Sequence, residues 1–420
     1  MARTVEIVYP VCCGMDVHKS FVVACVAVTN EHSRTEHHIK RFSTFTGDLR
    51  RLASWLASYK CRDVCMESTG KYWIPVFNTL ERTCNVCLTH PKYVKAIKGK
   101  KTDKKDAKWI SELFKCDLVR SSFIPPPDIR SLRDLCRYHV KLTGFVSGEK
   151  NRAQNCLTMC NFKLDDVFSD VFGKSATRVL DALIEHENSN FEINGLISAK
   201  CKATPEEISA ALDGEFNPTQ AEKLGLIRQH INDIRVLQVS LEKMIDEIAS
   251  KYRSQIDLLM TVPGISTPFT AIRILAEIGA DMSVFETAKQ LTSWAGLTPQ
   301  NQESAGKKKT TRIGRAGAYL KPLLVQCALA VGKSDKHPEL KNKYHALKKR
   351  RGGKKAVIAI SRKLLTAIWH ILSKNEPYNA ELYKEIDKPP ISRELTSAQA
   401  MTFLRSKGFL ILDEKTGEVT

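Results

Sequence analysis

The sequence is short of acidic residues relative to basic ones. Among its 420 residues, Lys and Arg number 65 and Asp and Glu number 46, which gives a net charge of +19 and a pI near 9.3. Such an excess of positive charge indicates a polyanionic partner, of which nucleic acid is the commonest. Ribosomal and membrane-surface proteins share this composition, so charge alone leaves those classes open.

Long hydrophobic runs are also missing. No apolar run reaches the roughly 18 residues that a membrane-spanning helix needs. Residues 1–10 are too short and too mixed for the apolar core of a signal peptide. The sequence therefore predicts a soluble, intracellular protein with no membrane partner.

The signature of a disulfide framework, an even set of cysteines in a short chain, is lacking too. The chain is long and has 13 cysteines. Cys61, Cys65, Cys84 and Cys87 could form a zinc site, but Cys65 and Cys87 each lie in an apolar, strand-like segment. Buried, reduced thiols are the favoured interpretation.

Residues 1–125 carry alternating strand and helix patterns. Apolar β-branched runs predict strands, and apolar residues spaced by three or four predict helices. The predicted strands are two segments within 11–28 joined near His18, then 38–42, 63–67 and 85–89, and the predicted helices are 47–59, 72–82 and 92–115. This β-β-β-α-β-α-β-α order indicates an α/β layer fold with a mixed sheet. Three prolines at 125–127 end the unit.

The rest of the chain is predicted to be mainly helical. In 126–256, one apolar stripe indicates either a buried bundle helix or a dimerising coiled coil. Its members are Ile227, Ile231, Ile234, Leu237, Leu241, Met244 and Ile248. In 257–375, a Val-Pro-Gly-Ile turn at 262–265 resembles a helix-hairpin-helix, which can present backbone N–H groups to a phosphate. Residues 376–420 form a tail to which the sequence assigns no role.

Four acidic residues stand in settings that suggest metal-dependent chemistry on nucleic acid. Asp16 and Glu67 each end an apolar run, and strand ends line the active crevice of an α/β sheet. Asp103 and Asp106 share one helix face, above an apolar stripe that begins at Ile110. Their oxygens suit Mg²⁺, and the four could hold two ions that stabilise the attacking and leaving oxygens of a displacement at phosphorus.

Each acid also has an ordinary structural interpretation. Asp103 and Asp106 could cap a helix, Asp16 could be a turn residue, and Glu67 could be a hydrogen-bonded strand end. Eight lysines lie between residues 92 and 108. These lysines could form a plain solvated face, but a phosphate groove accounts for them better if the acids bind a metal.

A second constellation surrounds Ser304 in a glycine-flanked loop. Its cationic neighbours are Lys307, Lys308, Lys309, Arg312 and Arg315. Glycine allows close approach to a phosphate, the cations could stabilise charge on phosphorus, and a serine hydroxyl could attack it. On composition alone, an ordinary loop serine is the stronger interpretation. No histidine nearby indicates a Ser-His-Asp triad, so a metal-bound hydroxide or a carboxylate would have to activate the serine.

Together these motifs resemble one known family. Asp16, Glu67 and the Lys-Thr-Asp-x-x-Asp-Ala segment at 101–107 are similar to the N-terminal Asp-Glu-Asp-Asp domain of the insertion-sequence 110 transposases. Val-Pro-Gly-Ile, Gly-Leu-Thr-Pro, Glu-Ser-Ala-Gly-Lys and Ile-Gly-Arg-Ala-Gly-Ala-Tyr-Leu resemble that family's C-terminal transposase domain. The resemblance covers about residues 10–372.

The resemblance implies a RuvC-like, ribonuclease-H-type N-terminal domain in a DNA transposase or recombinase. It implies Mg²⁺ at Asp16, Glu67, Asp103 and Asp106, and Ser304 as the nucleophile of a covalent phosphoserine link to DNA. Donor and target DNA would be chosen by base pairing with a noncoding bridge RNA. Homodimers would pair into tetramers with sites composed from different subunits, in the prokaryotic cytoplasm or nucleoid.

Basic stretches would then hold the RNA and DNA backbones. Residues 341–355 carry eight Lys or Arg and no acid. The predicted nucleic-acid contacts are Lys98, Lys100, Lys101, Lys104, Lys105, Lys307, Lys308, Lys309, Arg312, Arg315, Lys348, Lys349, Arg350 and Arg351.

The chain departs from the family pattern at three places. Ala305 follows Ser304 where the family commonly has Gly, Ser266 stands where Gly is usual, and Gly-Arg-Ala-Gly-Ala replaces a frequent Lys-Arg-Gly-Asn. These departures bear on Ser304 and leave the four acids untouched. Two other functions stay open: a RuvC-like metal-dependent, structure-specific nuclease that uses water, and a non-enzymatic nucleic-acid scaffold.

Overall fold

Two compact units make up the chain, Met1–Pro126 and Pro127–Thr420. The computed structural model describes residues 6–68, 70–94, 102–185, 192–193, 195–198, 201–299, 302–304, 307–310, 312–314, 316–381 and 397–409. The first unit is α/β. The second, where it is described, is helical apart from a two-stranded ribbon.

A five-stranded mixed sheet forms the centre of the first unit. Its strands are β1 Val11–Val17, β2 Phe21–Thr29, β3 Thr35–Ser43, β4 Asp63–Glu67 and β5 Asn85–Thr89. They lie in the order β3-β2-β1-β4-β5, with β1 antiparallel to β2 and parallel to β4. This is the strand arrangement of ribonuclease-H-type folds. The predicted fold class, an α/β domain of this type followed by a mainly helical region, is confirmed.

Helices cover both faces of this sheet. They are α1 Thr46–Ser58, α2 Trp73–Leu80, α3 Pro91–Val94 and α4 Asp103–Lys115. Met15 packs with α1 and α2 in one core, whereas Cys12 packs with α4 in another. Because side chains alternate along a strand, the even-numbered residues of β1, including Gly14 and Asp16, face α4.

The predicted helix over 92–115 is confirmed at Pro91–Val94 and at Asp103–Lys115 but is interrupted at Thr102. Thr102 has φ −142° and ψ 145°, an extended conformation that a continuous helix does not allow. Its side chain instead accepts a hydrogen bond from Lys105 N at 3.4 Å and caps α4. Residues 95–101 lie outside the described part of the chain.

The cysteines are free thiols, as the sequence predicts. Burial raises the pKa of Cys12 and of Cys61 to about 12, so both thiols stay protonated at neutral pH. Cys65 is fully buried within β4. No group of cysteines with metal-ligand spacing occurs among the described residues.

The second unit is built from twelve described α-helices, a short 3-10 helix at Ser250–Tyr252 and a ribbon. Its helices are α5 Pro127–Met159, α6 Leu164–Val167, α7 Lys174–Glu185, α8 Pro205–Ala211, α9 Pro218–Ala249, α10 Arg253–Met260, α11 Pro268–Ile278, α12 Ala288–Trp294, α13 Leu320–Lys333, α14 Pro338–Arg351, α15 Gly353–Lys374 and α16 Ser397–Ser406. The ribbon consists of β6 Gln302–Ser304 and β7 Lys307–Thr310.

Helix α9 packs along α5 through only part of the predicted stripe. Its buried residues are Leu224, Ile227, Ile231, Ile234, Leu241, Ile245 and Ala249. Leu237 and Met244 are each 53% exposed, so they leave that face. From Leu224 to Ile245 the buried residues keep a repeat of seven, whereas Leu237 and Met244 each lie one residue before a position of that repeat. Within one chain α9 is therefore a bundle helix, and dimerisation stays a prediction.

By length and composition alone, α15 could cross a membrane, which a search for apolar runs did not anticipate. Its buried face, including Ile360, Leu364 and Ile368, packs in a bundle with α12, α13 and α14. Core helices pass the same length test, so α15 is weak evidence for a membrane span.

The predicted helix-hairpin-helix turn joins α10 to α11. Gly264 has φ 83°, and a Cβ there would lie 2.4 Å from Cys327 O on α13. Glycine is needed for both the conformation and the close approach. The turn thus has a packing role, and its contact with phosphate stays a prediction.

Candidate active site

The ends of β1 and β4 bring Asp16 and Glu67 to one edge of the sheet. These strands run parallel, and Met15 pairs with Met66, so the next residue on each strand is one of the two acids. Cys65 packs with α4, and Glu67 has the same strand parity as Cys65. Strand geometry therefore places Asp16 and Glu67 on the side of the sheet that α4 covers.

Helix α4 lies directly on β1 at Gly14. A Cβ at this position would lie 2.3 Å from Ser111 N and 2.4 Å from Ala107 O, which are both backbone atoms of α4. Only glycine permits this approach. The contact brings the first turn of α4, with Asp103 and Asp106, beside the end of β1. Because Thr102 caps the helix, neither aspartate is needed as its cap.

A charged cluster fixes the other end of α4 to β3. His37 Nε2 lies 2.5 Å from Glu112 Oε1, and Lys115 Nζ donates to Glu112 Oε2 at 2.7 Å and to Thr35 Oγ1 at 3.0 Å. Burial would raise the pKa of Glu112, but the hydrogen bonds from Lys115 and His37 outweigh it and hold that pKa below its usual value. The orientation of α4 is therefore set at both ends.

Asp16, His18 and Asp103 form the one group of possible metal ligands found in the described residues. Their ligand atoms all lie within 4.8 Å of one another. His18 Nε2 lies 3.1 Å from Asp16 Oδ2 and 3.5 Å from Asp103 Oδ1. Glu67 and Asp106 lie outside this group. The structure thus gathers two of the four predicted acids and adds a histidine.

Burial raises the pKa of the Asp16 carboxyl. The positive character of His18 opposes this shift, whereas the negative charges of Asp103 and Asp106 reinforce it. The Asp16 side chain is only 14% exposed. A bound cation would stabilise this largely buried carboxylate beside two others, and a divalent metal fits the donor set.

Sequence reasoning missed His18 as a member of the site. A signal was present, because Asp16 and His18 are two residues apart at the end of a strand, and such residues share a side. What the sequence does not show is the approach of Asp103, which depends on the contact between α4 and Gly14. His18 was therefore interpreted only as part of a turn.

Replacing Gly14 with alanine should disrupt the site without removing any ligand. The added Cβ would overlap two backbone atoms of α4, so the helix must shift, at a cost of about 1–3 kcal/mol. We expect a lower melting temperature and weaker metal binding, measured by calorimetry. Gly47→Ala is the matched control, because a Cβ there would meet nothing within 4 Å. Equal melting temperatures for the two variants would contradict the proposed contact.

Ser304 is the last residue of β6 rather than part of a loop. β6 pairs antiparallel with β7, and Ser304 stands opposite Lys307. The predicted loop is wrong because β6 and β7 satisfy their backbone N–H and C=O groups by hydrogen-bonding to each other. Ala305 and the side chains of β6 and β7 lie outside the described structure, so the role of Ser304 as nucleophile stays a prediction.

Glycines allow close backbone contacts in the segment between the ribbon and α13. Gly317 has φ 72°, and a Cβ there would lie 2.4 Å from Ala295 O, just after α12. Lys321 Nζ donates a hydrogen bond to Gly314 O at 2.6 Å. The chain leading from the ribbon into α13 is therefore fixed by backbone contacts.

The predicted nucleic-acid contacts fall partly within the described structure. Lys104 and Lys105 are exposed on the first turn of α4. Arg312 is exposed, and the exposed residues Lys348, Lys349, Arg350 and Arg351 end α14. Outside the described residues are Lys98, Lys100, Lys101 and Arg315, together with the side chains of Lys307, Lys308 and Lys309.

A groove of about 1570 Å³ lies along α15 in the second unit. Apolar residues such as Ile358 and Ala359 contribute to its lining. Its basic lining residues are Arg312, Arg351, Lys354, Lys355, Arg362, Lys363 and Lys374. This mixture of cationic and apolar surface suits a polyanion.

Two family models match this chain. The IS110-type DEDD model, described as a transposase, matches residues 13–162. The model described as "Transposase IS116/IS110/IS902 family" matches residues 256–345. Together the matched segments cover more than half of the chain and include the four predicted acids and Ser304.

Two relatives found by sequence similarity agree with these matches. The chain is 25% identical over 335 residues to the transposase for insertion sequence element IS1111A of Coxiella burnetii, covering 77% of this chain and 81% of that protein. It is 33% identical over 130 residues to a pilin gene-inverting protein of Moraxella bovis, covering 30% and 39%. A T. thermophilus RuvC solved with a Holliday junction substrate aligns with a TM-score of 0.21 and 11% identity, over 27% of this chain and 99% of that chain.

Proposed function

Since this chain belongs to the IS110 family of transposases, we propose that it cuts and rejoins DNA through a covalent bond between Ser304 and a DNA phosphate. Membership confirms the predicted family and enzyme class, a DNA transposase or recombinase. The observation that carries the proposal is the largely buried Asp16 side chain beside His18 and Asp103 at the sheet edge.

In this mechanism the acids bind the metal that stabilises negative charge. Asp16 and Asp103 offer hard oxygens, Glu67 follows on the adjoining strand, and Asp106 lies close enough to raise the pKa of Asp16. We propose that these four residues hold Mg²⁺, as two ions. Bound there, the metal would stabilise negative charge on the attacking and leaving oxygens at phosphorus.

Ser304 supplies the nucleophile in this proposal. Its Oγ forms a bond to phosphorus while the bond from phosphorus to one ribose oxygen breaks. The serine proton passes to a carboxylate or water, and the released ribose oxygen takes up a proton. The phosphoserine preserves a phosphate ester, so a hydroxyl on a second strand can displace serine and rejoin the DNA. Exposed cations such as Lys104 and Lys105 would hold the backbone.

Selection of DNA is proposed to rest on a bridge RNA. The groove along α15 and the four cations that end α14 offer phosphate-binding surface without an evident means of reading bases. Pairing between a noncoding RNA and both donor and target DNA would supply the sequence information. We further propose that homodimers assemble into tetramers and that the enzyme works in the prokaryotic cytoplasm, where its DNA lies.

Replacing Ser304 with alanine tests the covalent step. The chain would be expressed with the DNA that flanks its coding region, and protein–DNA adducts would be isolated under denaturing conditions. Nuclease digestion and mass spectrometry should find a nucleotide on Ser304, and Ser304→Ala should reduce adduct and strand exchange to background. Ser293→Ala, at an exposed position on α12, is the matched control and should behave as the unmodified chain.

Water-dependent cleavage is the second candidate, because Asp16, His18 and Asp103 come together without any contribution from Ser304. If Ser304→Ala still cuts DNA and leaves no adduct, a metal-dependent nuclease is the correct assignment. Strand exchange at the unmodified rate in that variant would rule out the serine mechanism.

A further inference from the structure

His18 is held beside the acids by its neighbours in the β1–β2 turn. His18 N donates to Phe21 O at 2.9 Å, which closes the turn. The His18 and Phe21 rings lie 4.5 Å apart between centroids, and the Arg41 guanidinium covers the Phe21 ring at 3.7 Å. The imidazole is therefore packed in place rather than free to swing into solvent.

The positions of the ring nitrogen and the carboxylates match the edges of a coordination octahedron. Neighbouring ligand atoms around an ion with bonds of about 2.1 Å lie about 3 Å apart. His18 Nε2 is 3.1 Å from Asp16 Oδ2 and 3.5 Å from Asp103 Oδ1. All three atoms can thus contact one ion with a small adjustment of the exposed Asp103 side chain.

We propose that His18 Nε2 is a direct ligand of the divalent metal, together with Asp16 and Asp103, and that this nitrogen makes the centre favour Mn²⁺ over Mg²⁺. The inference rests on the metal centre of the proposed function and goes beyond its four carboxylates. It adds a nitrogen donor from His18, a residue that neither the acid motif nor the position of the strand ends is enough to identify.

Metal preference follows from the donor type. Mg²⁺ is a hard ion that binds oxygen, keeps several waters and demands near-ideal octahedral geometry. Imidazole nitrogen suits transition metals, whose affinities for mixed nitrogen and oxygen sites rise from Mn²⁺ onward in the first row. A histidine ligand therefore strengthens Mn²⁺ binding more than Mg²⁺ binding.

Pulsed electron paramagnetic resonance of Mn²⁺ bound to the full chain tests this proposal directly. A coordinated imidazole produces nitrogen couplings that change when the protein carries ¹⁵N-labelled histidine. We expect these couplings in the unmodified protein and their loss in His18→Ala, with Mn²⁺ affinity lowered at least about tenfold. Competition with Mg²⁺ should show that His18→Ala loses most of the preference for Mn²⁺.

His32→Ala is the matched control, because His32 lies exposed in the turn between β2 and β3. It should retain both the nitrogen couplings and the metal preference. Melting curves of both variants show whether the fold is kept, and His18→Asn, which offers oxygen in place of nitrogen, provides a second folded variant.

Two results would overturn the inference, and they differ in what they mean for the proposed function. Tight Mn²⁺ binding without nitrogen couplings in the unmodified protein would show that His18 only hydrogen-bonds to Asp16, leaving the carboxylate centre intact. If the unmodified protein showed no specific Mn²⁺ binding and Asp16→Asn behaved identically, both the metal centre and the His18 ligand would be refuted.

Discussion

Replacing Asp16 with asparagine should lower strand exchange at least about a thousandfold and yet raise the melting temperature of the metal-free protein. The loss of activity is expected because the amide removes a charged metal ligand at the centre of the site. The gain in stability is expected because the same change removes a buried negative charge next to Asp103 and Asp106. Trade-offs of this kind, on the order of 1 kcal/mol, are typical of functional sites.

The pH dependence of this stability gain has a definite sign. Burial raises the folded-state pKa of Asp16 above its ordinary value of 3.8. The protonated carboxyl therefore stabilises the metal-free fold at low pH, and this contribution is lost as pH rises through the raised pKa. Asp16→Asn should show no such loss, so the difference in melting temperature should grow with pH and level off above that pKa.

The measurement is differential scanning calorimetry in a chelator, paired with recombination of the flanking DNA in cells. Asp63→Asn is the matched control, because Asp63 lies at the opposite end of β4 and pairs with Asn85 Nδ2 at 3.1 Å. It should leave recombination nearly unchanged. Unaltered recombination in Asp16→Asn would refute the metal site, and a lower melting temperature would show that Asp16 has a structural role instead.

The sheet and its two acidic strand ends could be predicted because they depend on local patterns. β4 and β5 have the bounds that their apolar runs predict, and the turn between β1 and β2 lies at His18 as expected. The end of an apolar run predicts the end of a strand. Asp16 and Glu67 could therefore be placed at strand ends without knowledge of tertiary contacts.

The remaining features depend on contacts that sequence spacing does not encode. Gly14 could be read as a strand residue, but its contact with the backbone of α4 decides which acids meet. The buried face of α9 departs from the predicted stripe because α5 packs against one continuous seven-residue repeat, which Leu237 and Met244 miss by one residue. Ser304 lies in a strand because its partner segment, across two residues, completes a ribbon. In each of these three cases, a contact with another segment determines the local structure, rather than the sequence of the segment itself.

The family motifs and the geometry of the site point to different sets of residues. The paired motifs identified the family, and the matched segments confirm it. They name four acids, whereas the geometry brings together two of them with His18. A family motif thus indicates the chemistry of a site, but the side chains that can share one ion must be found from distances.

The largest expected loss of stability in the second unit comes from Glu277→Gln. Glu277 is buried at the end of α11, and both of its carboxylate oxygens accept hydrogen bonds from Arg137 of α5 at 2.8 Å. This charged partner raises the pKa of Arg137, whereas burial lowers the pKa of the adjacent Arg133 to about 10. Removing the carboxylate leaves the Arg137 guanidinium without its anion, at a cost of about 1.5–3 kcal/mol, because the Arg137 side chain is 39% exposed and solvent screens part of its charge.

Urea unfolding of the full chain should show this loss, and Asp257→Asn is the matched control. Asp257 pairs with Arg253 on an exposed helix face, where an ion pair contributes about 0.5 kcal/mol or less. Arg133 also donates to Ala276 O and Glu277 O at the end of α11, so α11 stays anchored to α5 by backbone contacts that survive the substitution.

A double variant, Arg137→Met with Glu277→Leu, separates the net contribution of the pair from the cost of breaking it. Because a buried pair replaced by apolar groups often changes stability little, the double variant should be more stable than Glu277→Gln. Arg137 also lies over the Tyr319 ring at 4.7 Å, just before α13 and after the glycine segment that follows the Ser304 ribbon. Loss of recombination in a stable double variant would therefore show that the pair positions this segment, whereas full recovery would limit the pair to stability.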